Sequence, residues 1–200
     1  MKRLFYYITI LLFIVNLTEN NSFANSRQQY HSVLSCKMTS GNQITLKVLH
    51  ITDNKDYFSN GDKPFFEINR KINLAFTNSI RDDFVGEIYF AQCIKETLIF
   101  AMGQVSPYLS GIAIRQNPIT HQYERLYFAE KALPHWLYFK NNEWGVIIPN
   151  IGYETDKKYL VYTFKSGKNQ PELQQKMIPM NHFPVPKKDL IRILLPKGMQ

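Results

Sequence analysis

Between residues 87 and 164 the chain is a succession of short apolar and aromatic runs, and this constrains the fold more than any other feature. The runs cover 87–93, 97–102, 111–115, 123–129, 136–139, 145–148 and 159–164. Turn formers separate them: Ser106-Pro107, Asn117-Pro118, Asn141-Asn142, Asn150 with Gly152, and Ser166-Gly167. Tyr, Phe, Val and Ile favour pleated, half-buried surfaces, and short strands at intervals of about ten residues predict an all-β chain. Upstream, Ile44, Leu46, Val48 and His50 alternate with Thr45, Lys47 and Leu49, and Ile72, Leu74 and Phe76 with Lys71, Asn73 and Thr77. A period of two means a strand with one covered face. Residues 25–29 read as a frayed end and 53–64 as a polar loop. No window of twelve or more residues carries a helical stripe. The expected architecture is therefore all-β: an antiparallel sandwich, a barrel or a small propeller-like sheet.

The tail changes character from residue 165. Pro171, Pro179, Pro184, Pro186 and Pro196 interrupt it, and repeated Pro blocks regular pairing. Residues 165–200 are thus expected to form an extended arm over the sheet, with 189–195 as a final strand. An internal echo also stands out. Residues 88–92 (IYFAQ) resemble 126–130 (LYFAE), and 98–100 fall on 136–138 at the same offset. Such an echo suits two copies of a hairpin or two blades of a small propeller.

The first residues point to export. Lys2 and Arg3 precede an uncharged, largely apolar run over 4–15, too short to span a bilayer, and Ser22 and Ala24 place small residues before a cut. Residues 1–24 are expected to be a cleaved signal peptide and 25–200 one exported domain. In that setting the two cysteines, Cys36 and Cys93, are expected to form one structural disulfide. The net charge is +8, of which the leader supplies one unit (Lys2 and Arg3 against Glu19). Export and the scatter of Lys and Arg argue against nucleic acid. The excess fits an acidic protein partner or a solvated surface. Contact with the membrane is expected only through the leader.

The search for chemistry is negative. His31, His50, His121, His135 and His182 lie at wide spacings, neither cysteine has a C-x-x-C partner, and no metal site is expected. The nucleophile elbow is missing; 103–107 (GQVSP) lacks the second glycine. Asp82-Asp83 is the only adjacent acidic pair, and strand neighbours point to opposite faces. The loop from Asp53 breaks the alternate-ligand calcium pattern at Lys55 and Tyr57. No catalytic residue and no cofactor is expected. What remains is a density of Tyr and Trp in the middle of the chain. These residue types fill β cores and also dominate interface hot spots. The segments 134–144 and 150–158 combine aromatics, turn formers and Lys, and Trp136, Trp144, Tyr153 and Lys157 are the candidate partner-binding residues.

The order of these elements is a Cys pair, an Ile-Tyr-Phe strand at 88–90, then 110–115 (SGIAIR), 125–131 (RLYFAEK), 136–138 (WLY) and 145–150 (GVIIPN). It resembles periplasmic immunity proteins of Gram-negative bacteria that protect against type VI secretion effectors. The resemblance spans residues 86–165 and lies in general character, so no functional residue carries over. It implies a periplasmic, non-enzymatic protein that binds one toxic effector and blocks it. Two other readings stay open: an envelope ligand-binding or assembly module, and a periplasmic hydrolase with dispersed catalytic residues.

Overall fold

The computed structural model describes residues 29–52, 60–77, 84–103, 107–152, 155–167 and 174–198. The leader expected over 1–24 and Tyr153 lie outside them. The chain is all-β and forms three antiparallel sheets, each built on a four-strand meander. The first sheet runs through β1 (Tyr30–Lys37), β2 (Gln43–Ile51), β3 (Gly61–Ile68) and β4 (Lys71–Leu74). The second runs through β5 (Glu87–Ile94), β6 (Thr97–Gly103), β7 (Leu109–Gln116) and β8 (Tyr123–Glu130). The third contains β9 (Trp136–Lys140), β10 (Glu143–Pro149), β11 (Tyr159–Lys165) and β12 (Gln175–Met180), with β13 (Leu190–Arg192) added beside β9. The strands do not close into a barrel.

The second sheet is the middle layer. On β6, Leu98, Phe100 and Met102 face the first sheet and pack with Ile44, Leu46 and Phe66. Ile99 and Ala101, at the alternate positions, face the third and pack with Trp144, Val146 and Leu160. Every residue of β6 is buried, which is why it reads as a continuous apolar run. Burying such side chains stabilises by about 1.5–3 kcal/mol each. The small residues let aromatics cross the pleat. A Cβ on Gly111 would lie 2.1 Å from Cζ of Phe128 and 2.6 Å from the carbonyl oxygen of Phe100, so the Phe128 ring occupies the space that Gly111 leaves.

Three local features depart from the sequence reading. Tyr30–Lys37 is a strand although it shows no alternation, because a bulge at Val33 shifts its register against β2 between Ser32 and Leu34. The expected 53–64 loop gives way to β3 at Gly61. Pro64 is tolerated there because the paired part of β4 reaches only as far as Phe65. The echo does not correspond to two equivalent hairpins: β5 and β6 pair in one sheet, whereas β8 and β9 belong to different sheets.

The tail supplies both edges of the third sheet, β12 beside β11 and β13 beside β9. Between them the chain crosses the outer face of that sheet. Phe183 stacks on Tyr159 at 4.5 Å and meets Trp136 edge-on at 5.0 Å, and Val185 packs with Tyr138, Ile147 and Val161. Ile193 then enters the core between the second and third sheets.

Candidate functional site

The meanders place their connections at two ends, and the two ends differ. At one end the layers are tied. The Cys36–Cys93 disulfide joins β1 to β5 with the Cα atoms 5.3 Å apart. Thr39 Oγ1 donates to the Glu96 carboxylate and Ser40 Oγ to Gln116 Oε1, again first sheet to second. Between second and third sheets, Arg115 lies over the rings of Phe139 (4.8 Å) and Trp144 (5.7 Å). Its Nε stands 3.7 Å from Glu124 Oε2, and Asn117 Nδ2 donates to Glu124 Oε1 at 2.7 Å. Burial pulls the Arg115 guanidinium below its usual range, while Glu124 and Glu96 hold it up.

At the other end the second and third sheets diverge around a cleft of about 330 Å³. Its walls are Tyr89, Leu109, Ala132, Leu133, Pro149 and Ile151, with Lys131 and His135 as the polar groups. Each is positioned by a feature of its strand. A bulge in β5 falls at Tyr89, between the pairs Ile88–Met102 and Phe90–Ala101. Bulges re-aim side chains, and this one turns the Tyr89 ring over Gly103, where a Cβ would come within 2.3 Å of Cε2. Leu109 begins β7, Pro149 ends β10, and Ile151 follows it with 61 % of its surface exposed.

His135 is clamped by its backbone, donating to Ile147 O and accepting from Ile193 N, both at 2.9 Å. Burial, with the Arg192 charge second, keeps its imidazole below the ordinary value and therefore neutral at pH 7. Lys131 Nζ sits 5.0 Å above the Tyr108 ring at the rim. Among the described residues no carboxylate lines the cleft. Glu130 lines a neighbouring recess and accepts from Tyr162 Oη at 2.6 Å.

The candidate residues from the sequence fall in different places. Trp144 is 1 % exposed, in the core between the second and third sheets. This corrects the expectation that it offers contact surface. Trp136 points to the opposite face of the third sheet, half-buried beneath Phe183 and Tyr159. Parity separates the two tryptophans: Trp144 pairs with Phe139, and Trp136 with Ile147. Lys157 lies in the β10–β11 connection with its Nζ 2.9 Å from Asp156. Asn150 orders that connection, its Nδ2 donating to the carbonyls of Thr155 (2.9 Å) and Lys157 (2.7 Å). The sequence reading missed Tyr89, Leu109, Lys131 and Ile151 as a group, since only docking of two sheets brings them together. The disulfide joins the expected pair. Among the described residues no three His, Cys, Asp or Glu side chains converge on a possible metal position.

Comparison with protein-family models, with curated proteins and with solved structures finds no match.

Proposed function

We propose that this chain is an exported binding protein that performs no chemistry, and that it serves as a periplasmic immunity protein neutralising a toxic effector. The cleft between the second and third sheets carries the reading. It is concave, largely apolar and built on strand ends, the form that a recognition site takes when orientation rather than bond-making is required. Its polar groups are an ammonium and a neutral imidazole, a pair suited to hydrogen bonding and charge complementarity. A cross-layer disulfide suits an oxidising compartment. The likeness to immunity proteins supplies the class of partner.

The test is neutralisation. The chain is expressed with its own leader in cells that also direct to the periplasm a toxin encoded beside it. Restored growth and a stoichiometric complex with nanomolar or tighter affinity are the expected result; Kd values of that order fit interfaces of standard size. A folded chain that neither binds nor protects, or that hydrolyses peptidoglycan, phospholipid or ester substrates itself, overturns the proposal.

A further inference from the structure

We infer that Cys93 is the sulfur at which an external thiol or disulfide enters the Cys36–Cys93 bond. Cys36 is then the buried partner, which leaves when the bond opens and resolves the mixed disulfide when it closes. This goes beyond the proposed function and holds whatever the chain binds. It follows from the unequal settings of the two halves of one covalent tie. Cys36, on β1, is 0 % exposed and packs with Met38, Ile44, Leu46 and Phe66 between the first and second sheets. Cys93 is exposed, on β5, which is an edge strand of the second sheet and has β6 as its ladder neighbour through Cys93 and Leu98.

Thiol–disulfide exchange brings the attacking, central and departing sulfurs nearly into line, so access decides which sulfur is attacked. Attack on Cys36 Sγ requires a thiolate to enter the apolar layer filled by Met38 and Phe66, where nothing replaces its hydration. Attack on Cys93 Sγ takes place at the edge of a sheet. The external thiolate bonds to Cys93 Sγ, the electron pair of the broken bond passes to Cys36 Sγ, and Cys36 takes a proton from water. A second thiol of the same reagent then attacks the reagent's own sulfur and releases Cys93, so that the reagent is oxidised and the two cysteines are reduced. In the closing direction the Cys93 thiolate attacks the reagent's disulfide. Cys36, with its Cα 5.3 Å from that of Cys93, gives up its proton and displaces the reagent as a dithiol. The partner class is therefore a thiol–disulfide oxidoreductase that meets the chain at the β5 edge. Burial disfavours the Cys36 thiolate and makes it a poor leaving group, so the tie opens reluctantly although its entry sulfur belongs to an exposed residue.

Single-cysteine variants separate the two settings. Each is treated with a chromogenic aromatic disulfide in native buffer and in urea, so that every thiol is referred to its own unfolded rate. In Cys36→Ala the Cys93 thiol should react within about ten-fold of its rate in urea, and in Cys93→Ala the Cys36 thiol at least about 100-fold more slowly than in urea. Equal protection of the two thiols, or greater protection of Cys93, in variants that keep the wild-type circular dichroism overturns the inference. Oxidised wild type gives a second reading, which decides alone where a variant fails to fold. Incubated with excess reduced glutathione, quenched with acid and mapped by peptide mass spectrometry, it should carry glutathione on Cys93 and a free thiol at Cys36. Glutathione on Cys36 in equal or greater amount overturns the inference. Exchange no faster than global unfolding, measured in parallel, overturns it too, because the bond would then open only in the unfolded chain.

Discussion

Replacing Trp144 separates a core role from a contact role, and its cost follows from the surroundings of the ring. Trp144 is 1 % exposed, lies 5.8 Å from the Phe164 ring and carries the Arg115 guanidinium 5.7 Å above it. Truncation to Ala in such a position removes about 3–5 kcal/mol of stability. For a domain of this size each kcal/mol moves Tm by about 2–4 °C, so Trp144→Ala should melt about 6–20 °C lower. Trp144→Phe tests the polar part of the same side chain. The indole Nε1 is buried and has no hydrogen-bond partner among the described residues. Deleting it removes a penalty of about 1–3 kcal/mol while losing part of the ring's packing. The two terms oppose, and Trp144→Phe should stay within about 1 kcal/mol of the wild type. Ile151→Ala, at an exposed position, should change stability by no more than about 0.5 kcal/mol. Urea titrations followed by circular dichroism give all three values under the same conditions. A Trp144→Ala protein melting within about 2 °C of the wild type refutes the placement in the core. Trp144→Phe proving as damaging as Trp144→Ala refutes the account of the orphan donor.

Reduction of Cys36–Cys93, which spans a separation of 57 residues, should destabilise by about 4 kcal/mol and raise the urea m-value as the unfolded chain expands. Equal denaturation midpoints with and without reductant argue against that constraint. His135 has a folded-state value below its ordinary one, chiefly through burial and secondarily through Arg192. As pH falls through the unfolded value the unfolded chain takes up the proton first. The His135 contribution is therefore full above the unfolded value and is lost on acidification toward the folded one. Stability of the wild type should drop more than that of His135→Gln between about pH 7 and pH 5, measured by paired urea titrations. Phe183→Ala should release the tail from the outer face of the third sheet. It should shift Trp136 emission to the red and cost about 3–5 kcal/mol at most, because Phe183 is half-buried. Unchanged emission would show that Phe183 does not cover Trp136.

Strand identity was legible wherever burial is regular. β8 alternates between half-buried and buried positions from Tyr123 to Glu130, and β6 reads as one apolar run because both its faces are covered. β1 was not legible, since Val33 forms a bulge and most of the strand faces outward. The two-residue turns at Asn69-Arg70 and Lys95-Glu96 were hidden for another reason. All four residues have positive φ, the geometry that matches strand twist, yet none is glycine. The candidate site was legible only in part. His135 and Ile151 fall inside the aromatic segments read as binding loops, but Tyr89, Leu109 and Lys131 come from segments distant in sequence. The misplacement of Trp144 has a definite cause. Periodicity tells which residues share a face, but not what covers it. In the third sheet both faces are covered, one by the second sheet and the other by the tail.

The contrast between the two ends bears on how the molecule could bind tightly without rearranging. At the tied end the layers are linked by a disulfide, by Thr39–Glu96 and Ser40–Gln116, and by Arg115 lodged between Glu124 and two aromatic rings. Those links fix the relative positions of the sheets by acting through the full length of the strands. The cleft opens at the far end of the same strands, so its width is set by contacts remote from any ligand. On the proposed reading, recognition there would need no sheet to move, and the entropy lost would fall on rim side chains such as Ile151 and Lys131. The tail strengthens this division. It passes over the outer face of the third sheet through Phe183 and Val185 and returns Ile193 to the core, where the Ile193 amide also holds His135. Loosening the tail should therefore weaken the cleft through His135, although the residues that cross the outer face lie away from the cleft itself.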